Sequence, residues 1–145
     1  MIREINRSDK NEYIAMADSF YNSDAVSHPI KKENFEAAFD AAINNNLFIK
    51  LYILECEKSV AGYAAIAVTF TTEGGGKTLW LDELYVKPDF RGHGLGKELI
   101  HFLKEDESVK RIRLEITPEN EKAKKLYISE GFKPCEYKQL IYDIS

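Results

Sequence analysis

The sequence predicts one domain of mixed α/β class. Three observations lead to this fold class. A strand, a glycine-rich loop and a helix follow one another over residues 79–102, two strand-like runs precede that unit, and a strand and a helix follow it. The length of 145 residues fits a single domain, residues 1–145, that can bury a real core.

The first half of the chain predicts a strand, two helices and a hairpin. Residues 2–5 form a short strand, and Ser8 or Asp9 can cap a first helix. Residues 22–30, with His28-Pro29, break the chain before a second helix over residues 32–46. Residues 47–55 and 60–71 predict strands joined by a tight turn. The apolar spacing of the two helices is carried by Tyr13, Ile14, Ala17, Phe20, Phe35, Ala38, Phe39, Ala42 and Ile43.

The second half predicts a central strand, two helices and further strands. Residues 79–86 form the central strand, which Pro88 ends, and a helix begins at Leu95. Residues 111–117 alternate, with Ile112, Leu114 and Ile116 on one face and Arg113 and Glu115 on the other. A helix over residues 119–130 stops at Gly131. Residues 132–144 predict a terminal strand pair, or one long strand broken near Pro134.

The loop between the central strand and its helix has the properties of an anion site. It contains three glycines between Arg91 and Lys97, which allow a backbone to approach a ligand closely. The start of the following helix offers unpaired N–H groups and the positive end of the helix dipole. This arrangement suits a phosphate or pyrophosphate.

Several interpretations of this loop compete. A P-loop requires Ser or Thr after Gly-Lys, but Glu98 follows Gly96-Lys97. A dinucleotide fingerprint needs a different glycine spacing, and the chain lacks repeated βαβ units. A glycine turn without a ligand is the remaining alternative; the strand before it, the helix after it and Arg91 argue against it.

Two motifs together resemble the GCN5-related N-acetyltransferase (GNAT) family. The first is R-G-x-G-x-G after a strand that ends V-x-P, and the second is N-x-x-A-x-x-L-Y-x-x-x-G-F over residues 120–132. The specific motifs lie within residues 79–132, while the order of strands and helices matches over nearly the whole chain. The resemblance implies a mostly antiparallel mixed sheet, splayed at an acetyl-CoA site and flanked by about four helices.

The resemblance also implies acetyl transfer from acetyl-CoA to a primary amine by direct attack, with acetyl-CoA as co-substrate. Backbone N–H groups near Tyr85 and Val86 would receive the oxyanion, and the glycine loop would bind the pyrophosphate. The expected cofactor-binding residues are Leu84, Tyr85, Val86, Arg91, Gly92, His93, Gly94, Leu95, Gly96, Lys97, Asn120, Lys124 and Tyr127.

The candidate catalytic residues are Tyr127, Glu83 and Glu115. Tyr127 matches the tyrosine beside the cofactor sulfur in many family members, where its phenol can donate to the departing thiolate. An amine with a pKa of about 10.4 needs a base. Glu83 in the central strand is the first candidate for this base and Glu115 the second, while the alternative for each is a structural strand carboxylate.

The acceptor amine is less well defined by the sequence. The acidic strand W-L-D-E-L-Y-V-K-P resembles that of diamine and polyamine acetyltransferases and favours a small amine. Because strand residues alternate, only one of Asp82 and Glu83 can face a cleft unless a bulge intervenes. Residues 20–39, with Tyr21, His28 and Glu33, would shape the acceptor site. A protein or peptide acetyltransferase and a non-catalytic acyl-CoA-binding module are the alternatives.

Composition restricts the other classes of function. A net charge of −4 and a pI near 5.5 argue against nucleic acid or an anionic membrane as partners. Neither a signal core nor an apolar run of membrane-spanning length is present. Cys56 and Cys135 form no C-x-x-C pair, and the scattered histidines indicate no metal site. We therefore expect a cytoplasmic, metal-free protein, for which the family resemblance also allows a homodimer.

Overall fold

The computed structural model describes residues 1–23, 26 and 30–144 of the chain. The predicted break at His28-Pro29 therefore lies outside the described residues. Within them, no helix is long and apolar enough to cross a membrane. The elements are β1 (Ile2–Glu4), α1 (Lys10–Tyr21), α2 (Lys32–Ile43), β2 (Ile49–Cys56), β3 (Ser59–Thr71), β4 (Gly76–Val86), α3 (Leu95–Lys104), β5 (Val109–Leu114) and α4 (Glu121–Ser129), with 3-10 turns at Arg7–Asp9 and Pro88–Phe90.

The five strands form one mixed sheet in the order β1-β2-β3-β4-β5. The first three pairings are antiparallel, and β4 pairs with β5 in parallel. The β2–β3 turn contains Glu57 and Lys58, both at positive φ (51° and 68°), which is the backbone that a two-residue type I′ hairpin requires. The architecture confirms the predicted mixed, mostly antiparallel class.

The sheet separates two hydrophobic cores. Helices α1 and α2 pack on one face through Tyr13, Met16, Ala17, Phe20, Phe35 and Phe39. Helices α3 and α4 cover the other face through Leu95, Leu99, Ile100, Leu103 and Tyr127. Strand residues contribute alternately to each core, because successive side chains point to opposite faces. The central strands are therefore covered on both sides.

Some details of the predicted helix and strand bounds differ in the structure. Helix α1 begins after Asp9, but Asn6 and Asp9 form a capping box on the preceding 3-10 turn instead of capping α1 with a side chain. Helix α4 begins after Asn120, because the Asn120 side chain accepts from the Ala123 N–H. Strand β5 ends at Leu114, so Ile116 lies beyond it and is partly exposed.

The predicted terminal strand was also wrong. Residues 132–144 form no strand or helix in the structure, and residues 133–144 are exposed. Pro134 cannot donate to a sheet ladder. The described sheet ends at β5, and this segment does not extend it.

Candidate functional site

The centre of the site is a bulge in β4. The register with β3 pairs Ala65 with Glu83 but Ile66 with Leu81, so Asp82 is an additional residue on β4. Leu81 and Leu84 both pack in the α3/α4 core. The two residues between them, Asp82 and Glu83, are thus both turned away from that core. The bulge removes the alternation that would have separated the two carboxylates.

Two tyrosine hydroxyls hold the Glu83 carboxylate. Tyr63 on β3 donates to Oε1 at 2.6 Å, and Tyr21 at the end of α1 donates to Oε2 at 2.9 Å. Tyr63 is fully buried and packs edge-on against Tyr13, with ring centroids 5.2 Å apart. Glu83 is therefore fixed in position by both its own strand and the α1 side of the sheet.

The pKa of Glu83 results from opposing effects. Burial raises the pKa, while the hydrogen bonds from Tyr63 and Tyr21 lower it, and the net direction is upward. Burial and the nearby Glu83 charge also raise the pKa values of both tyrosines. These phenols consequently remain protonated at neutral pH and can keep donating to the carboxylate.

Asp82 and Glu115 extend the negative charge across the gap between β4 and β5. Desolvation, together with the charges of Glu83 and Glu115, raises the pKa of Asp82 to about 6. Glu115 directly follows the last residue of β5 and is exposed. Asp82 thus lies close enough to both sequence-predicted carboxylates, Glu83 and Glu115, to be affected by their charges.

The sheet opens just beyond this acidic group. Pairing between β4 and β5 ends at Leu81 and Leu114, whereas β4 continues to Val86 beside β3. The Lys87 N–H donates to the Ala61 carbonyl on β3 at 2.7 Å. Because backbone groups alternate along a strand, the N–H groups of Leu84 and Val86 point toward the open side. The Tyr85 N–H points toward β3 and is therefore not available on the open side.

The glycine loop follows the open end of β4. Arg91 Nε donates to the Val86 carbonyl at 2.8 Å, and its guanidinium lies over the Tyr85 ring, 5.7 Å from the centroid. The His93 ring is within 2.8 Å of the Phe90 carbonyl. These contacts fix the loop between the strand end and helix α3.

The first turn of α3 presents its backbone to the same opening. Gly94 precedes the helix in the left-handed conformation, with φ of 78°. The first intrahelical bond runs from Glu98 N to Gly94 O, so the N–H groups of Leu95, Gly96 and Lys97 precede the helical ladder. A Cβ at Gly92 or Gly94 would stand in open space. This loop fits the approach of a phosphate group.

Gly96 serves a different purpose from Gly94. A Cβ at Gly96 would come within 2.8 Å of Leu126 Cδ2 on α4. Gly96 therefore leaves room for the Leu126 side chain of α4 against the first turn of α3.

Helix α4 carries the remaining predicted residues. Tyr127 is buried in the α3/α4 core with its ring centroid 5.5 Å from that of Phe132, and burial raises its pKa to about 12. Asn120 caps the helix through its side-chain oxygen. Lys124 lies on the exposed side of α4.

Sequence reasoning missed the two hydrogen bonds that hold Glu83: Tyr63 was not named, and Tyr21 was named only as part of the acceptor segment. The contacts of Tyr21 and Tyr63 to Glu83 span 62 and 20 sequence positions, respectively. Tyr21 lies in the segment 20–39 that was expected to shape the acceptor site, and Tyr63 lies inside an ordinary apolar strand. No local pattern indicates that either residue contacts Glu83. Of the other residues in that segment, Glu33 lies in the first turn of α2 and is exposed, and His28 lies outside the described residues.

Comparison with protein families identifies the chain. The family model described as Acetyltransferase (GNAT) family matches residues 11–132. The protein belongs to the GNAT acetyltransferase family. Membership makes it an acetyl-CoA-dependent N-acetyltransferase and confirms the resemblance that the two motifs carried.

Relatives and solved structures agree with this assignment. The chain is 25% identical over 142 residues to thialysine N-epsilon-acetyltransferase from Sus scrofa, covering 90% of this chain and 82% of that protein. A shorter match to the Bos taurus protein of the same name is 32% identical and spans 50% of this chain and 44% of the relative. A possible acetyltransferase from Clostridium difficile 630 superposes with a TM-score of 0.83 at 19% identity, covering 100% and 97% of the two chains. That superposition shows the shared fold.

Proposed function

We propose that this acetyltransferase acts on the primary amine of a small cationic molecule. The observation that carries the proposal is the β4 bulge, which turns both Asp82 and Glu83 away from the α3/α4 core while the charge of Glu115 acts on Asp82. Three neighbouring carboxylates favour an ammonium group electrostatically. The names of the two mammalian relatives, which specify an N-epsilon amine of thialysine, support the same chemical class.

The open end of β4 and the start of α3 would hold acetyl-CoA. The pyrophosphate would lie against the N–H groups of the first turn of α3 and beside Arg91 and Lys97, where the helix dipole favours an anion. The left-handed Gly94 and the open space at Gly92 support that approach. Asn120 and Lys124 would contact the co-substrate from the α4 side.

Glu83 would serve as the base. An ammonium group with a pKa of about 10.4 must lose a proton before its nitrogen can attack. Glu83 is fixed by two hydrogen bonds at the bulge, and its raised pKa makes it a better proton acceptor than a solvent-exposed carboxylate. Asp82 and Glu115 would attract the ammonium group, and Glu115 would be the second candidate for the base.

The transfer itself would occur by direct attack in a ternary complex. The neutral nitrogen forms a bond to the thioester carbonyl carbon, and the carbon–sulfur bond then breaks to release the CoA thiolate. The N–H groups of Leu84 and Val86 face the open side of β4 and would stabilise the oxyanion. One ammonium proton passes to Glu83 before the attack, and the nitrogen loses its second proton to solvent as the amide forms.

Tyr127 would stabilise the departing sulfur. Its pKa of about 12 keeps the phenol protonated, while a thiol resembles cysteine at about 8.5. Full proton transfer from the phenol to the thiolate would be uphill by on the order of 5 kcal/mol. Tyr127 would therefore act as a hydrogen-bond donor to the developing thiolate, and the final proton would come from solvent.

The acceptor would enter from the α1 side of the sheet. A cavity of about 360 Å³ lies between α1 and the end of β4. Tyr85 lines this cavity and, two residues after Glu83, lies on the same face of β4. The other lining residues are Glu12, Ala15, Met16, Ser19, Lys87, Pro88, Asp89 and Phe90. Its size suits a small acceptor better than an extended polypeptide.

A reducing compartment such as the cytoplasm fits the two cysteines. Cys56 and Cys135 are free thiols in the structure, and free thiols are typical of a reducing environment. A cytoplasmic location is therefore part of the proposal.

The direct test is CoA release from acetyl-CoA with a panel of acceptors. The panel contains diamines, polyamines, thialysine, lysine, amino sugars, amino acids and short peptides. We expect release with small molecules that carry a terminal primary amine. Release only with peptides would favour the protein acetyltransferase alternative, and acetyl-CoA binding without turnover on any acceptor would favour a binding module.

A conservative substitution of Glu83 distinguishes a role as the base from a role in acetyl-CoA binding. Glu83→Gln keeps the side-chain shape but removes the proton acceptor. We expect kcat/KM for the best amine to fall by about 10²- to 10⁴-fold, with unchanged acetyl-CoA affinity by titration calorimetry. Wild-type activity in Glu83→Gln, together with a loss in Glu115→Gln, would assign the base to Glu115.

A further inference from the structure

The cavity beside α1 continues away from Glu83 along one face of β4. Glu83 and the residues after it pair regularly with β3, and Lys87 continues this pairing beyond the end of the strand. Because side chains alternate, residues 83, 85 and 87 lie on the same face. Tyr85 and Lys87 both line the cavity. The Tyr85 ring centroid lies 6.3 Å from that of Tyr63, which donates to Glu83, so Tyr85 connects the proposed base to the part of the cavity beside Lys87.

A pair of opposite charges lies in that part of the cavity. Lys87 Nζ donates to Glu12 Oε1 on α1 at 2.7 Å, and both residues line the cavity. An ammonium group has three donors and a carboxylate has two acceptor oxygens. Within the described residues, Lys87 Nζ has no second acceptor and Glu12 Oε2 has no donor. Both groups therefore keep the capacity to bind a ligand.

An ion pair in this position can also serve only to hold α1 against the end of β4. The two side chains are 32% and 44% exposed, and exposed ion pairs contribute little to stability. Helix α1 is already held on the sheet by its buried residues Tyr13, Met16, Ala17 and Phe20. What distinguishes the pair is its place in the cavity wall next to Tyr85, where a bound acceptor would meet it.

The two ends of this face carry different charges. Glu83, with Asp82 beside it, makes the reacting end negative, whereas Lys87 and Glu12 place a positive and a negative group at the other end. At a rise of about 3.3 Å per residue, the Cα atoms of Glu83 and Lys87 are about 13 Å apart. A short aliphatic chain can bridge that span together with the two side chains. Tyr85 lies between the two ends and offers such a chain an aromatic surface.

We propose that the Lys87–Glu12 pair binds the α-amino acid end of the acceptor, and that the acceptor is a diamino acid acetylated on its side-chain amine. The inference rests on the proposed function and deepens it by naming the class of amine. The α-carboxylate accepts from Lys87 Nζ, the α-ammonium donates to Glu12, and the terminal amine reaches Glu83. A simple diamine places a second cation beside Lys87, so the pair discriminates against it.

Matched acceptors test each contact separately. Lysine carries both α-groups, cadaverine lacks the carboxylate and 6-aminohexanoate lacks the α-ammonium, while ornithine and putrescine repeat the first comparison at a shorter length. We expect kcat/KM for the better diamino acid to exceed that for its diamine by about 10- to 100-fold, because the diamine loses a hydrogen bond between charged groups. The analogue without the α-ammonium should be poorer by a similar factor.

Substitutions of the pair assign the preference to these residues. Lys87→Met removes the charge and keeps a long side chain. It should lower kcat/KM for the diamino acid by about 10- to 100-fold, mainly through KM, and should not lower the value for the diamine. Glu12→Gln should lower the values for lysine and cadaverine but not for 6-aminohexanoate. Lys50→Met is the control, because Lys50 forms an exposed ion pair with Glu4 at 3.6 Å on the far side of the sheet, and this variant should keep the original preference.

The pattern of turnover separates this inference from the proposed function. Release of CoA with small amines but without a preference for diamino acids would overturn the inference alone. Equal losses for all acceptors in Lys87→Met would also overturn it, since they would mean that the pair only holds α1 in place. Acetyl-CoA binding without turnover of any small amine would overturn the proposed function and this inference together.

Discussion

At the scale of single residues, the two tyrosine hydroxyls that donate to the Glu83 carboxylate lower its pKa. A hydrogen bond to an ionised carboxylate favours the ionised form, so each donor lowers the pKa that burial raises. The base must be ionised to accept a proton. The pH at which activity is lost in acid therefore depends on Tyr21 and Tyr63 as well as on Glu83.

Tyr21→Phe should shift the acidic limb of the kcat/KM profile to higher pH. Loss of the donor to Oε2 raises the Glu83 pKa further, so the carboxylate becomes protonated, and inactive as a base, at a higher pH than in the unmodified enzyme. The profile is measured with the best amine of the panel. Tyr52→Phe, a substitution in the opposite core, is the control and should leave the limb in place. A limb that does not move in Tyr21→Phe would show that Glu83 does not control it.

Tyr127→Phe tests the donor to the departing sulfur. The substitution keeps the ring in the α3/α4 core and removes only the hydroxyl. We expect turnover to fall by about 10- to 100-fold, the effect of losing one hydrogen bond to a charged transition state. Acetyl-CoA affinity, measured by calorimetry, should change little. Unchanged turnover would remove Tyr127 from the reaction.

Some candidate site residues can be named from the sequence because a local motif contains them. Gly92, Gly94, Tyr127 and Glu83 stand within recognisable motifs, and the charges of Glu83 and Glu115 both act on Asp82. The Asp82 bulge and the two tyrosine donors were not predictable from the sequence. A bulge depends on the register with β3, and the phenols reach Glu83 only after α1 has packed on the sheet.

At the scale of elements, the glycine loop combines a backbone requirement with an open approach. Gly94 has φ of 78°, a conformation that residues with a Cβ rarely adopt. Its Cβ position is open toward the expected phosphate site. Any side chain at this position would add both backbone strain and a steric block.

Gly94→Val should abolish acetyl-CoA binding, while Gly75→Val should not. Gly75 in the β3–β4 loop has φ of 81° and the same open Cβ position, so it matches the backbone strain of Gly94 at a distance from α3. Calorimetry with acetyl-CoA measures affinity, and thermal unfolding measures the strain. Equal affinity in the two variants would contradict the assignment of the loop.

Element prediction succeeded where a periodic pattern and a local signal agreed. The two apolar faces of α1 and α2, the β2–β3 hairpin and the left-handed Gly131 after α4 all appear in the structure. The predicted start of α4 was wrong because the helix begins at the Asn120 cap and not at Thr117-Pro118. Asparagine is among the residues that cap a helix most effectively. The C-terminal strand was wrong because strand pairing requires a partner that local sequence cannot supply.

At the scale of the whole molecule, the N-terminal segment ties the first strands to α1. Arg3 on β1 pairs with Asp9 at 2.8 Å and with Glu55 on β2 at 3.2 Å. Asp9 also accepts from the Asn6 N–H at 2.8 Å. Burial alone would raise the pKa of Asp9, but these bonds from Arg3 and Asn6 lower it overall. The Asp9 charge thus stabilises the fold.

The sign of this shift determines how stability depends on pH. Because the folded-state pKa of Asp9 lies below the ordinary value of 3.8, the contribution is present above that value. It is lost as the pH falls through the lower folded-state pKa. Asp9→Asn, which cannot ionise, should therefore be less stable than the unmodified protein at pH 7, by about 1 to 3 kcal/mol. This difference should shrink in strong acid.

Urea unfolding at neutral pH and near pH 3 measures both values. Glu4→Gln is the matched control, because Glu4 makes an exposed ion pair with Lys50 at 3.6 Å and should contribute less than about 1 kcal/mol at either pH. A difference between Asp9→Asn and the unmodified protein that is equal at both pH values would show that the Asp9 charge does not stabilise the fold. We expect the difference to be larger at neutral pH, because Asp9 is buried, with 6% exposure. The interaction between buried charges is weakened less by solvent and salt than that between exposed charges.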